Sequence, residues 1–97
     1  MGNIYNEAVF QVRNTADFLW KFWDDAYIVY DLRSGHTQVM NEFAREIFSI
    51  LEDKPQNLSG VEAEVENLME ENLSPDMKEN IRQTIIEFDH MGLIEPQ

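Results

Sequence analysis

Apolar positions along the chain change their spacing once, near residue 41, and that change sets the expected architecture. Before it, aromatic and β-branched residues gather in short runs. Residues 18–23 read Phe-Leu-Trp-Lys-Phe-Trp, with Phe18, Trp20 and Phe22 on one face of a strand. Asp24-Asp25 turns the chain, and residues 27–30, Tyr-Ile-Val-Tyr, form a second strand. A second turn follows over 31–35, where Gly35 takes the positive φ that other residues resist. Residues 36–40, His-Thr-Gln-Val-Met, make a third strand. Links this short force antiparallel neighbours, hence a meander. The third strand is an edge unless the N-terminal segment covers it. That segment is mixed, with a short strand over 8–13 and a turn at Asn14-Thr15.

After residue 41 the spacing becomes helical. Asn41 is an N-cap, and Phe43, Ala44, Ile47, Phe48 and Leu51 form one stripe. Residues 53–57 are a loop. Ser59 with Glu62 reads as a capping box opening a second helix, whose buried stripe is Val61, Val65, Leu68 and Met69. Asn72-Leu73 breaks it. Ser74 and Pro75 open a third helix running to about Met91, with Gly92 as its left-handed stop. Its stripe is Met77, Ile81, Thr84, Ile85 and Phe88, and Leu93-Ile94 packs back on the body. The expected fold is α+β: a three-stranded antiparallel meander followed by three helices. The last two are short-linked as in a helix-turn-helix. It occupies one domain over 1–97, with a core from about 18 to 96.

Composition narrows the function. A chain of 97 residues, 43% hydrophobic, is one domain with a modest core. The absence of cysteine excludes disulfides, thiolate catalysis and cysteine zinc sites, and it suits the reducing cytoplasm. A net charge of -12, with Glu62, Glu64, Glu66, Glu70 and Glu71 close together, repels phosphate backbones, so no nucleic-acid partner is expected. The acid run is either a solvated helix face or a docking surface for a basic partner. No apolar stretch reaches membrane-spanning length, and the first ten residues lack the pattern of a signal peptide. Met1-Gly2 with Asn6 is a poor lipidation match.

Catalytic and metal chemistry find little support. His36 and His90 are the only histidines and are widely separated. Asp31, Ser34 and His36 crowd one turn, where Asp-Ser-Gly composition serves the turn itself. No phosphate-cradling glycine motif is present. Asn57-Leu58-Ser59 and Asn72-Leu73-Ser74 match the glycosylation pattern, but both serines read as helix caps. No enzyme activity, cofactor or metal is therefore expected.

The motifs W-D-D-x-Y-I-V-Y from Trp23, S-G-H-T from Ser34, N-x-x-A-x-x-I at Asn41, Ala44 and Ile47, and G-L-I-E-P from Gly92 together resemble the PqqD-like family over residues 20–96. The chain is most similar to the branch whose genes accompany HPr-kinase-related proteins. The resemblance implies a small winged helix-turn-helix. It also implies a peptide chaperone, or recognition element, that holds the leader of a ribosomally made precursor and presents it to a modifying enzyme, often a radical SAM protein. It further implies that the leader adds to the third strand in a groove closed by the third helix. Strand addition draws affinity from backbone hydrogen bonds and specificity from side-chain pockets. Ordering an unfolded leader costs entropy, so an affinity in the micromolar to sub-micromolar range is expected.

On this chain the peptide-binding candidates are His36, Thr37, Gln38, Val39 and Met40 on the strand, and Arg82, Ile86 and His90 on the helix. Ile86 points away from the stripe of Ile81, Ile85 and Phe88, with Arg82 and His90 one turn to either side. It is either a partner contact or ordinary core. Trp20 and Trp23 lie on opposite strand faces and read as core or hairpin packing, with one of them partly exposed. Two other function classes stand beside the adaptor: a winged-helix DNA binder, and an accessory subunit that docks an enzyme without a peptide. Helix three carries only Lys78 and Arg82 against Glu79, Glu87 and Asp89, which weakens the DNA reading. A monomer and a strand-exchanged dimer both remain open.

Overall fold

The computed structural model describes residues 7–97. The lipidation and signal-peptide readings rest largely on residues 1–6 and to that extent lie outside the described residues. The order is β1 (Phe10–Gln11), a 3-10 turn (Thr15–Asp17), β2 (Phe18–Trp23), β3 (Ala26–Asp31), β4 (Thr37–Met40), α1 (Glu42–Asp53), α2 (Leu58–Met69), α3 (Pro75–His90) and β5 (Glu95–Pro96). It is the α+β arrangement that the spacing predicts: a meander ordered β2-β3-β4, then three helices.

Both β2–β3 turn residues, Asp24 and Asp25, have positive φ (55° and 61°). This two-residue loop matches the right-handed twist of the paired strands, and Trp23 lies opposite Ala26 across it. Gly35 closes the next turn at φ 78°, as expected. The third strand starts one residue later than predicted. His36 belongs to the turn, where its amide donates to Ser34 Oγ (3.1 Å). The N-terminal strand pairs with β5, not with the meander. Its amide at Phe10 also donates to the Gln56 carbonyl (2.9 Å).

The inner sheet face packs on α1. Phe48 is fully buried and meets Phe18, Trp20 and Phe88 edge-on, with ring centroids 5.5, 5.3 and 5.5 Å apart. Arg45 lies 3.9 Å above the Trp20 ring and donates to Ser49 and Glu52. Trp20 is thus half-buried packing, whereas Trp23 is 65% exposed.

Two expectations about α2 are corrected. Its cap is Asn57, whose side chain accepts from the Gly60 amide (2.9 Å), so Ser59 lies inside the helix and caps nothing. Leu68 and Met69 are exposed. The helix ends beyond the core at Glu70, which adopts a left-handed conformation, and Leu73 returns to fill the interior. Helix α3 ends as predicted. Gly92 sits at φ 74°, its amide donates to Asp89 and that of Leu93 to Phe88, which together make a Schellman stop.

Candidate functional site

The open margin of the meander follows from its hydrogen-bond register. Antiparallel ladders alternate bonded and non-bonded pairs. The Asp31 amide donates to the His36 carbonyl (2.9 Å), and the register continues without a bulge. The bonded pairs of β3 and β4 are therefore Val29–Gln38 and Tyr27–Met40. The backbone groups of Thr37 and Val39 point the other way, to the outer edge. Among the described residues no strand pairs with that edge. The side chain of Val39 is 68% exposed, while Met40 is buried beneath it.

Beside the end of β4 lies a cleft of about 220 Å³. Val39, Met40 and Asn41 form one wall, with Phe43 and Ala44 from α1. The opposite wall is Asn80, Thr84, Glu87 and Phe88 of α3, with Met91 at its cap. Buried Met40 and Phe88 give it an apolar floor, and Asn41, Asn80 and Glu87 give it a polar rim. Asn41 accepts the Ala44 amide (2.8 Å), so the strand passes directly into α1.

An ionic clamp holds the two walls in register. Asp31 is buried, and the Arg33 guanidinium donates to both of its carboxylate oxygens (3.2 Å each). The same guanidinium donates to the Gly92 carbonyl (2.8 Å) just past α3 and covers the Phe18 ring. The β3–β4 turn is thereby tied to the end of the helix that faces β4. Burial by itself raises the Asp31 pKa. The hydrogen bonds from the Arg33 side chain and amide, with its charge, outweigh burial and hold the carboxyl below its ordinary value. A lowered folded pKa means stability that is present above the unfolded value of about 3.9 and lost as pH falls through the lower folded one. Asp31→Asn should cost roughly 1–2 kcal/mol near neutral pH, discounted for the partial exposure of Arg33. Denaturant unfolding of both proteins checks it: the difference should shrink below about pH 4. A pH-independent difference would contradict the clamp.

The predicted helix residues do not join this cleft. At about 100° per residue, Asn80, Thr84, Glu87 and Met91 share one flank of the buried stripe. Arg82 and Ile86 lie on the other flank, roughly 130–170° away, and His90 about 90° away. Arg82 pairs with Glu79 (3.3 Å) and faces a depression that also holds Leu58, Ser59 and Glu62. Ile86 is half-buried and His90 exposed. Of the strand candidates, Val39 and Met40 reach the cleft, Thr37 offers its backbone to the edge, and Gln38 is bonded inward. His36 stands outside the strand. Of the cleft residues not predicted as site residues, Asn41, Phe43, Ala44, Thr84 and Phe88 read from sequence only as cap or core, and Asn80, Glu87 and Met91 have no packing role in that reading. Their signal was a spacing of seven and then four residues, which Thr84 shares.

No family model, curated protein or solved structure matches the chain.

The turn residues Asp31, Ser34 and His36 serve the fold: the carboxylate is engaged by Arg33, and the Ser34 hydroxyl holds a backbone amide. No group of three metal-ligating side chains occurs among the described residues. No helix among them is long and apolar enough to cross a membrane. The outer sheet face is apolar: Leu19 lies opposite Tyr30, and Lys21, Ile28 and Val39 form the next row. The one charge in that row, Lys21, lies 5.5 Å from the Trp23 ring.

Proposed function

We propose that the protein is a non-catalytic adaptor of the PqqD-like kind that binds a precursor peptide as an added strand on β4. The adaptor holds the leader of that peptide and presents it to a modifying enzyme in ribosomal peptide or cofactor biosynthesis in the cytoplasm. A radical SAM protein and an HPr-kinase-related protein are the enzyme candidates the resemblance offers. One observation carries the reading: Thr37 and Val39 direct their amides and carbonyls outward beside an apolar-floored cleft. Strand addition uses those two features together, backbone ladder for affinity and pocket for side-chain choice.

The site also indicates the guest's chemistry. A strand on β4 alternates its side chains between the cleft and the outer face. Those entering the cleft meet Met40, Phe88 and Met91, so an aliphatic or aromatic residue fits. Glu87 on the rim, and the net charge of -12, favour a basic neighbour. Calorimetric titration with synthetic peptides from short reading frames encoded nearby tests the proposal. One peptide should bind with micromolar or tighter affinity, and its version with the apolar residue replaced by aspartate should not. Failure of every encoded candidate to bind would refute the proposal.

A further inference from the structure

The edge that would take a guest is complementary to itself. Its outward backbone groups belong to Thr37 and Val39, two residues apart, with Gln38 between them. We infer that two copies of this chain associate weakly through β4, antiparallel about a two-fold axis at Gln38. In that arrangement Thr37 lies opposite Val39 of the second copy and Val39 opposite its Thr37. Each is a bonded pair exchanging an N–H and a C=O, so every outward group of the two residues is satisfied. The two Gln38 side chains face each other on the cleft side, across the axis.

Several observations favour a second copy at this edge. Residues 37–40 contain no charge and no proline, and their register holds no bulge. Those are among the devices that usually keep an edge strand from pairing, and among the described residues only its shortness remains. The strand is also free of carboxylate in a chain that carries 19 acids, so the two copies meet where each is least negative. Val39, largely exposed in the single chain, gains a cross-strand neighbour in Thr37.

The same facts keep the association weak. Pairing of four-residue strands buries far less than the roughly 1,200 Å² of a standard stable interface. Two bodies of charge -12 also repel each other. Association therefore strengthens with added salt, which screens the bodies and leaves the uncharged strand unaffected. If the peptide-binding proposal holds, the paired form has its guest edge closed, and a guest must displace the second copy.

Sedimentation equilibrium from micromolar to millimolar protein, without any peptide, tests the inference. The wild-type mass should rise toward the dimer with concentration, and further at high salt. Gln38→Glu and Gln38→Lys each place like charges opposite one another across the axis and should weaken association about fivefold. An equimolar mixture of the two, placing Glu opposite Lys, should regain wild-type association. A wild-type chain that stays monomeric would overturn the inference, as would either variant alone associating as well as wild type or a mixture that recovers nothing. Amide shifts of the wild type on dilution provide a check independent of any variant. They should centre on Thr37 and Val39, and scattered shifts would also overturn it. Because no guest is present, failure here leaves the peptide-binding proposal standing, and failure of that proposal leaves this one standing.

Discussion

Phe48→Ala is expected to lower the unfolding free energy by about 3–5 kcal/mol, a large share of the roughly 5–15 kcal/mol of a typical domain. Phe48 is fully buried, and its ring is the common neighbour of Phe18, Trp20 and Phe88. These come from β2 and α3, so one side chain joins the sheet, α1 and the helix that walls the cleft. Truncation removes the transfer energy of the ring and leaves a cavity between elements that cannot all close on it. Three edge-on aromatic contacts are lost as well. Phe22→Ala provides the comparison. That ring lies at the end of β2, 60% exposed and tilted on Tyr27, and its loss should cost under about 1 kcal/mol. Urea midpoints of the two variants check the contrast. A Phe48→Ala loss no larger than that of Phe22→Ala would mean that the core is not organised around this ring.

Val39→Pro should weaken guest binding at least about tenfold while leaving the protein folded. Its amide points to the open edge, so proline removes a donor the native ladder does not use. Proline is tolerated on an edge strand in that orientation, and the preceding residue is already extended. Its ring also stands where an incoming strand must approach. Gln38→Pro has the reverse profile. The Gln38 amide bonds inward to Val29, so that change breaks the β3–β4 ladder and lowers stability by about 3 kcal/mol. Calorimetry for the guest and thermal unfolding for the fold separate the two. Undiminished affinity in folded Val39→Pro would contradict strand addition on β4.

Local pattern made most of the fold legible. Residues 18–23 are aromatic and β-prone, and β2 spans Phe18–Trp23. Asn41 and Ser74 were the available caps, and both cap their helices. The cap of α2 was less legible because Asn57 and Ser59 are both competent. The bridge between Phe10 and Gln56 fixes the preceding loop, and Gly60 packs so closely on Gln56 that a Cβ there would lie 2.7 Å from its side chain. Contacts between residues 46 apart leave no local trace. The overrun of Leu68 and Met69 has a similar cause, since helical spacing gives the direction of a stripe but not where the core stops.

The candidate site divides in the same way. An edge at the third strand follows from the meander, and the choice of Thr37 and Val39 over Gln38 and Met40 required only the phase of one hydrogen bond. The helix wall was not accessible by this route. A buried stripe such as Ile81, Ile85 and Phe88 has two flanks of equal standing on a helical wheel. Ile86 drew attention to one flank because it is apolar. The other, with Asn80, Thr84 and Glu87, faces the strand because of how α3 crosses the sheet, a property of tertiary packing.

Residue-resolved amide hydrogen exchange across β4, at protein concentrations low enough for a single chain, tests the open margin most directly. In the free protein Gln38 and Met40 should exchange slowly and Thr37 and Val39 fast, and a bound peptide should slow Thr37 and Val39 alone among the four. Protected Thr37 and Val39 amides in the free single chain would mean that the margin is already occupied, and would contradict strand addition at this edge.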